Sequence, residues 1–432
     1  MPTLLRAARR KGTAGPRDYS FIGLLAAAAG WRDWQPAWKN ASPGATYDAV
    51  IIGGGGHGLA AAYYLARNHG ISRVAVVEKG WIGGGNTGRN TTIVRSNYLL
   101  RENSTFHEFS LKLWESLSRE LNYNVMFSPR GVVNLFHSPQ ERETLLRRQN
   151  AMRLNGIDGD ILSLDALRRL VPALNTSKAA RFPVAGAVIQ RRAGTARHDA
   201  VAWGYARAAS SLGVDIIENC EVLDIETEAG SVSAVETSLG RIETKRVGVA
   251  VSGHSTQLAA MAGVALPIET HLLQACVTEP IKPFLDCVVS SGTLFVYVSQ
   301  TAKGELVIGG RLDGCNSFSQ RGDLSVLEEN LSNAVTIFPQ ISRLRILRQW
   351  AGAVDMTMDG SPILGRTPVG GLYLDAGWCY GGFKATPAAG WALAHVIAKD
   401  QPHPVAAPFT LARYAGGRTL SERGAGPRPN AH

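Results

Sequence analysis

Apolar residues in this chain fall into short unbroken runs, helical stripes and alternating stretches, and the order of these patterns predicts its elements. Ala49, Val50, Ile51 and Ile52 form a run that stops at Gly53. A strand covered on both faces has no polar side, so this is read as a buried parallel strand. Leu59 to Ala66 is small and apolar throughout, as suits a helix pressed against a sheet, and a second run, Val74 to Val77, ends in Glu78. Later the helix Ala200 to Leu212 leads into Gly213 to Ile225, read as one further strand of the same sheet. Near the C-terminus the strand Leu372-Tyr373-Leu374 meets a glycine-rich turn, Gly377 to Lys384, before a helix from about Pro387 to Ala398. Asn124 to Phe136 and Leu294 to Ile308 instead alternate apolar and polar residues, the pattern of antiparallel strands. Strands separated by helices place the chain in the α/β class.

The ends change the picture little. Arg6, Arg9, Arg10 and Lys11 precede an apolar stretch from Phe21 to Trp31 that has the outline of a signal peptide. Phe21, Leu24, Leu25 and Ala28 recur at helical spacing and no Ala-x-Ala site follows, so the reading preferred is a short amphipathic helix. No window approaches the ~20 consecutive apolar residues of a membrane span. Ala41 to Thr46 reads as a linker into the first strand, and the Gly/Pro-rich stretch after Gly416 as a poorly ordered tail. With 45% apolar and 19% charged residues in 432, the chain can bury one large or two interleaved cores. Its five cysteines are scattered without metal-ligand spacing, which argues for a reducing, cytoplasmic compartment and against a structural metal. The formal charge of +10 is spread without the aromatic-interleaved basic tract of a nucleic-acid binder. It suits anionic ligands or an acidic partner.

The candidate chemistry begins where the first strand ends. Gly53, Gly55 and Gly58 have the G-x-G-x-x-G spacing, in which the first glycine allows the tight turn, the second lets a pyrophosphate reach the backbone, and the third lets helix and strand pack closely. Gly56 and His57 lie within this finger, His57 as a candidate backbone contact, and the helix N-terminus offers amides and a positive dipole to phosphates. Glu78 is placed to accept hydrogen bonds from ribose hydroxyls. A second glycine-rich loop, Gly83 to Thr92, follows at once where an NAD domain would continue into another βα unit. Asn86, Arg89, Asn90, Thr91 and Thr92 on it are candidates to wrap a longer dinucleotide, so FAD is preferred to NAD. Val222 is a candidate backbone contact to the adenine, and Gly381 and Gly382 supply a second glycine turn and helix N-terminus for the flavin's pyrimidine end.

Several segments carry a family resemblance: Tyr47 to Tyr98, RHDAVAWGYARAA from Arg197, GVDIIENCEV from Gly213, YVSQTAKGEL from Tyr297 and GWCYGGFKATPAAGW from Gly377. Together with the Trp-rich GWRDWQPAW from Gly30, they resemble the β subunits of heterotetrameric sarcosine oxidases from Tyr19 to the C-terminus. The resemblance implies a Rossmann-like FAD-binding domain with a discontinuous antiparallel-sheet substrate domain. Residues 46–105, 183–262 and 349–415 are assigned to the first and 106–182 and 263–348 to the second, between an extension at 1–45 and a tail at 416–432. It also implies noncovalent FAD, a covalent FMN, and α, γ and δ partner subunits, with NAD and folate sites on α.

The same resemblance assigns roles. Arg95, and Lys384 in the GGFK turn, are implied to hold a substrate carboxylate, where a guanidinium can bind two oxygens at once. His198, in Arg197-His198-Asp199, matches the histidine that carries FMN, with Asp199 able to orient its ring by folding back. His69, His107 and His137 read as ordinary helix and loop residues, and His254 and His271 as satisfied core groups. The implied reaction is oxidative demethylation of sarcosine to glycine and formaldehyde, or methylene-tetrahydrofolate, with hydrogen peroxide formed. The alternatives are the flavin subunit of an N-methylglutamate-type dehydrogenase and a stand-alone FAD amine oxidase.

Overall fold

The unbroken apolar runs occupy the middle of a six-stranded sheet. From edge to edge it comprises Ile363–Arg366, Leu372–Ala376, Val247–Val249, Ala49–Ile52, Val74–Val77 and Asp215–Ile217. All pairs are parallel except the first. The computed structural model describes residues 36–422 and Leu25, and Trp38 onward belongs to one unit. Side chains of a strand alternate between faces, and here both faces are covered. Ile51 and Val76 pack with the helices Gly56–His69, His198–Ser211 and Gly382–Lys399. Val50, Ile52, Ala75 and Val77 pack with Ile225, Val235 and Ile242 of a three-stranded antiparallel sheet, Val222–Glu228, Ser231–Thr237 and Gly240–Glu243.

That second layer corrects one expectation. Gly213 to Ile225 is two strands in two sheets: Asp215–Ile217 joins the parallel sheet and Val222–Glu228 the antiparallel one. Between them Asn219 has φ +56°, which turns the chain. Glu218 leaves the strand to accept the Ile82 N–H at 2.8 Å, holding the loop beyond Glu78.

The alternating stretches belong to an eight-stranded sheet, ordered Ile346–Thr357, Ile268–Thr278, Leu306–Asn316, Val296–Gln300, Val288–Ser291, Val132–Phe136, Gly186–Gln190 and Asp160–Leu162. Only Val288–Ser291 and Val132–Phe136 pair in parallel. Of Asn124 to Phe136 only Val132–Phe136 is strand, and Leu294 to Ile308 is divided between two strands by a turn. Two strands pair across the segment boundaries expected above. Gly186–Gln190, within 183–262, pairs with Val132–Phe136, and Ile346–Thr357, which straddles 349, pairs with Ile268–Thr278.

The helix expected from Pro387 begins at Gly382 and runs to Lys399, with Pro387 inside it. Proline disturbs the preceding turn. The Lys384 carbonyl there accepts the Ser110 hydroxyl at 2.7 Å and the Trp114 indole at 2.9 Å. Ala41 to Thr46, expected as a linker, is tied down: the Ala41 N–H bonds the Ile216 carbonyl at 2.9 Å, and Thr46 bridges Glu243. Within the expected tail Glu422 is buried and accepts from the N–H groups of Leu99 and Leu100 and from the Asn103 amide. The expected amphipathic helix lies outside the described residues except for Leu25, which is helical. No helix among the described residues is long and apolar enough to cross a membrane.

Candidate active site

A cavity of about 1020 Å³ brings together the ends of the central parallel strands and residues of the eight-stranded sheet. Ordinary small-ligand pockets reach ~1,000 Å³, so this one has room for a large cofactor. Gly53, Gly55, Gly56, His57 and Glu78 line it, while Gly58 is not part of the lining. Gly53 has φ +110°, and a Cβ there would lie 2.4 Å from the Ala250 carbonyl oxygen. A Cβ on Gly58 would lie 2.0 Å from the Gly53 oxygen, so the backbone of the turn fills the space any side chain would need. The helix Gly56–His69 has no side-chain cap at Gly55, and its N-terminus opens on the cavity. Glu78 accepts the Gly54 N–H at 2.8 Å and the Gly80 N–H at 2.9 Å, which fixes its carboxylate while leaving lone pairs for further donors.

The second glycine loop closes over the first. Asn86, Arg89, Asn90, Thr91 and Thr92 all line the cavity. Asn86 donates to the Ser252 hydroxyl at 2.7 Å and the Ala353 carbonyl at 2.5 Å. Arg89 donates to the Gly84 and Gly85 carbonyls, Asn90 to the Thr87 carbonyl, and the Thr87 hydroxyl accepts the Gly56 N–H at 2.9 Å. These side chains therefore brace the loop. Thr92 has φ +64° and its carbonyl accepts the Ala196 N–H at 3.1 Å. Val222 lines the cavity at the start of its strand. Gly382 lines it too, while Gly381 caps the C-terminal helix just outside the lining.

His57 does more than its backbone contact promised. Its Nδ1 lies 2.9 Å from Asp375 and its Nε2 lies 2.7 Å from the Gly382 carbonyl. A carbonyl only accepts, and the carboxylate does the same, so both ring nitrogens carry protons and the ring is an imidazolium. Burial alone would lower its pKa, but the Asp375 carboxylate and the Gly382 carbonyl raise it overall. The pair ties the first glycine turn to the second across 318 residues of sequence. The Trp378 indole also donates to Asp375. Nearby Asp355 is pushed up to about 6 by burial, partly offset by the Gly377 N–H at 2.5 Å.

Cations collect along the cavity wall. Arg95 and Lys384 both line the cavity. Arg95 donates to Asn97 at 2.6 Å and lies 4.9 Å over the Tyr98 ring. Lys384 is buried and donates to the Tyr380 carbonyl; burial and the Arg95 charge push its pKa well down. Two groups were missed in sequence. His107, read as an ordinary helix residue, stacks on Tyr98 with ring centroids 3.9 Å apart, and burial drives its pKa down to about 3. Arg148 reaches the cavity from the helix Pro139–Leu154. Within Pro139–Leu154 Gln140, Thr144 and Arg148 recur every four residues on one cavity-facing stripe, a spacing that could have flagged it.

His198 is not among the cavity-lining residues; it opens the helix His198–Ser211. Its Nδ1 is buried without a hydrogen-bond partner, and burial lowers its pKa. Asp199 does not fold back on the ring. Arg197 holds it at 2.5 and 3.0 Å, because a guanidinium matches both carboxylate oxygens.

The cradle fits a dinucleotide on its own terms: glycines where a Cβ would strike backbone, an uncapped helix N-terminus, and an acid at the end of the second strand. A family model described as FAD dependent oxidoreductase matches residues 48–396. The chain is 54% identical over 409 residues to sarcosine oxidase subunit beta of Rhizobium meliloti (strain 1021), covering 95% of this chain and 98% of that one. It is 49% identical to the protein of the same name from Rhodobacter capsulatus, covering 94% of this chain and 98% of that one. Among solved structures, L-proline dehydrogenase from P. horikoshii superposes with a TM-score of 0.80 at 28% identity, covering 87% of this chain and 99% of that one. The chain therefore belongs to the FAD-dependent oxidoreductase family and, within it, to the sarcosine oxidase β subunits, as an FAD-dependent amine oxidoreductase.

Proposed function

We propose that this chain oxidises sarcosine at the cavity, with Arg95 and Lys384 holding the carboxylate. The observation that carries the reading is that both cations line the same cavity as the glycine finger and Glu78. A guanidinium offers paired donors to one carboxylate, and the anion restores the charge that burial takes from Lys384. The surrounding cations disfavour an ammonium, so the substrate amine is held neutral and no side-chain base is required. His107, with a pKa near 3, does not take up that proton at neutral pH. Bound in the cradle, FAD supplies the acceptor for a hydride from the N-methyl carbon. The chain's part is position: the carboxylate clamp aims the methyl group, a contribution that reaches several kcal/mol in well-oriented systems. Glycine, formaldehyde or methylene-tetrahydrofolate, and hydrogen peroxide are the products of this reading.

The test is a titration of the FAD-loaded protein with a carboxylate-bearing inhibitor. Arg95→Ala and Lys384→Met should each weaken binding by roughly 2 kcal/mol while the protein stays folded and yellow. Unchanged affinity in both removes them from the substrate site.

His198 is proposed as the FMN attachment point, in contact with a larger partner subunit of an assembly that also contains γ and δ chains. A covalent bond needs a neutral imidazole nitrogen, and burial keeps this one neutral with Nδ1 unpartnered. FMN at that position supplies a route for electrons to oxygen. Acid precipitation should release FAD and leave FMN on the peptide containing His198, as located by mass spectrometry. Covalent flavin retained by His198→Asn would overturn the assignment.

A further inference from the structure

Arg148 presents an unresolved charge. It is 7% exposed, it lines the cavity, and its Nε has no hydrogen-bond partner. No carboxylate among the described residues lies within ion-pair distance of it. Glu422 is the acid that acts on it electrostatically, but that carboxylate is already taken by Leu99, Leu100 and Asn103. Glu141, seven residues back on the same helix, is held by the Thr293 hydroxyl and the His137 N–H. Arg95 and Tyr98 are the other groups that act on Arg148, and Arg95 makes matters worse by like charge. Burial, with that repulsion, draws even this guanidinium down to about 10.

A buried guanidinium without a counter-ion is costly, and ordinary surroundings supply a carboxylate. Here the open side is the ligand cavity. Charge counting then decides what fills it. Sarcosine brings one carboxylate, which the Arg95 and Lys384 clamp accounts for, and Arg148 is left over.

We propose that Arg148 is a specificity-determining residue that receives a second carboxylate, so that the site binds dicarboxylic secondary amines and their isosteres as well as the monocarboxylic substrate. The proposal rests on the reading of the cavity as the substrate site. Three faces of the cavity would then divide the ligand between them. The glycine turns face the cofactor, Arg95 and Lys384 take the α-carboxylate, and Arg148, on the Pro139–Leu154 helix, takes the distal one. The neighbours of Arg148 on that stripe, Gln140 and Thr144, are polar and leave the lobe wet enough for an anionic arm.

The experiment uses FAD-loaded protein and thioether isosteres in which sulfur replaces the amine. (Methylthio)acetate carries one carboxylate; thiodiacetate and 3-(carboxymethylthio)propanoate carry two at different reach. Binding is read from perturbation of the flavin absorbance, with FAD content and thermal unfolding as folding controls. At least one dicarboxylate should bind ten-fold or more tighter than the monocarboxylate in the parent. Arg148→Met should remove that advantage while shifting (methylthio)acetate less than three-fold, and Arg148→Lys should restore part of it. Arg95→Ala should weaken all three ligands. If neither dicarboxylate gains over the monocarboxylate, or if Arg148→Met weakens all three equally, the second-carboxylate role is wrong. If none of the ligands perturbs the flavin in the parent, the substrate-site reading itself fails.

Discussion

Lys384, buried, and His57, half-buried, are ionisable groups at the cavity, and their surroundings push them in opposite directions. Lys384 forms no ion pair with a carboxylate among the described residues and faces Arg95, so it gives up its proton readily. A carboxylate ligand reverses this by favouring the charged form. Inhibitor binding in mildly alkaline buffer should therefore take up a proton, measurable by calorimetry in buffers of different ionisation enthalpy. Lys384→Met should abolish the uptake. His57 is held charged by Asp375, so its pKa lies above that of the unfolded chain. Its contribution is full below the ordinary histidine range and is lost as pH rises through the raised folded value. The thermal stability of the apoprotein should fall across that window, and Asp375→Asn should flatten the fall. A parent protein with no such slope would show that the pair contributes nothing to folding.

At the scale of elements, the site depends on how two helices meet. The glycine-finger helix Gly56–His69 and the C-terminal helix Gly382–Lys399 present the two glycine turns from opposite ends of the chain. They approach so closely that a Cβ on Gly390 would lie 2.3 Å from the Ala60 Cβ and 2.7 Å from the Ala60 carbonyl carbon. Backbone cannot yield as a flexible side chain does. Gly390→Ala should force the helices apart at a cost of about 1–3 kcal/mol. It should also stretch the His57 contact to Gly382 and weaken FAD binding. Chemical denaturation and flavin titration of the one variant measure both effects, and loss of stability with unchanged FAD affinity would uncouple helix packing from the cradle.

Across the whole molecule, residues near the C-terminus are locked onto segments far away in sequence. Arg413 is buried and donates to Asp359 at 2.9 and 3.0 Å, to the Pro362 and Ser361 carbonyls, and to the Tyr414 hydroxyl. Removing one partner of a buried pair strands the other charge, which costs about 3–5 kcal/mol. Arg413→Met should lower the unfolding free energy by about that amount. Asp359 also accepts the Leu420 N–H at 2.9 Å, and the chain then delivers Glu422 to the start of the helix Arg101–Glu120. Stability unchanged in Arg413→Met would mean that this closure forms only locally.

The two cations were singled out by the family resemblance, whereas local spacing was enough to pick out the glycine finger, the acid after the second strand and the second glycine loop, because each is a short pattern tied to one strand end. It also separated the buried parallel runs from the alternating antiparallel ones, since side-chain period reports how many faces are covered. It did not locate the break at Asn219, where a single left-handed residue sends the next strand into another sheet. The imidazolium of His57, the burial of His107 against Tyr98 and the unpaired Arg148 were equally invisible. Their character comes from partners 318 residues away, from a stacked ring, or from a carboxylate occupied elsewhere. Sequence periodicity encodes which side of an element is buried; the charge state of a buried group depends on what the fold brings against it, and only the tertiary structure decides that.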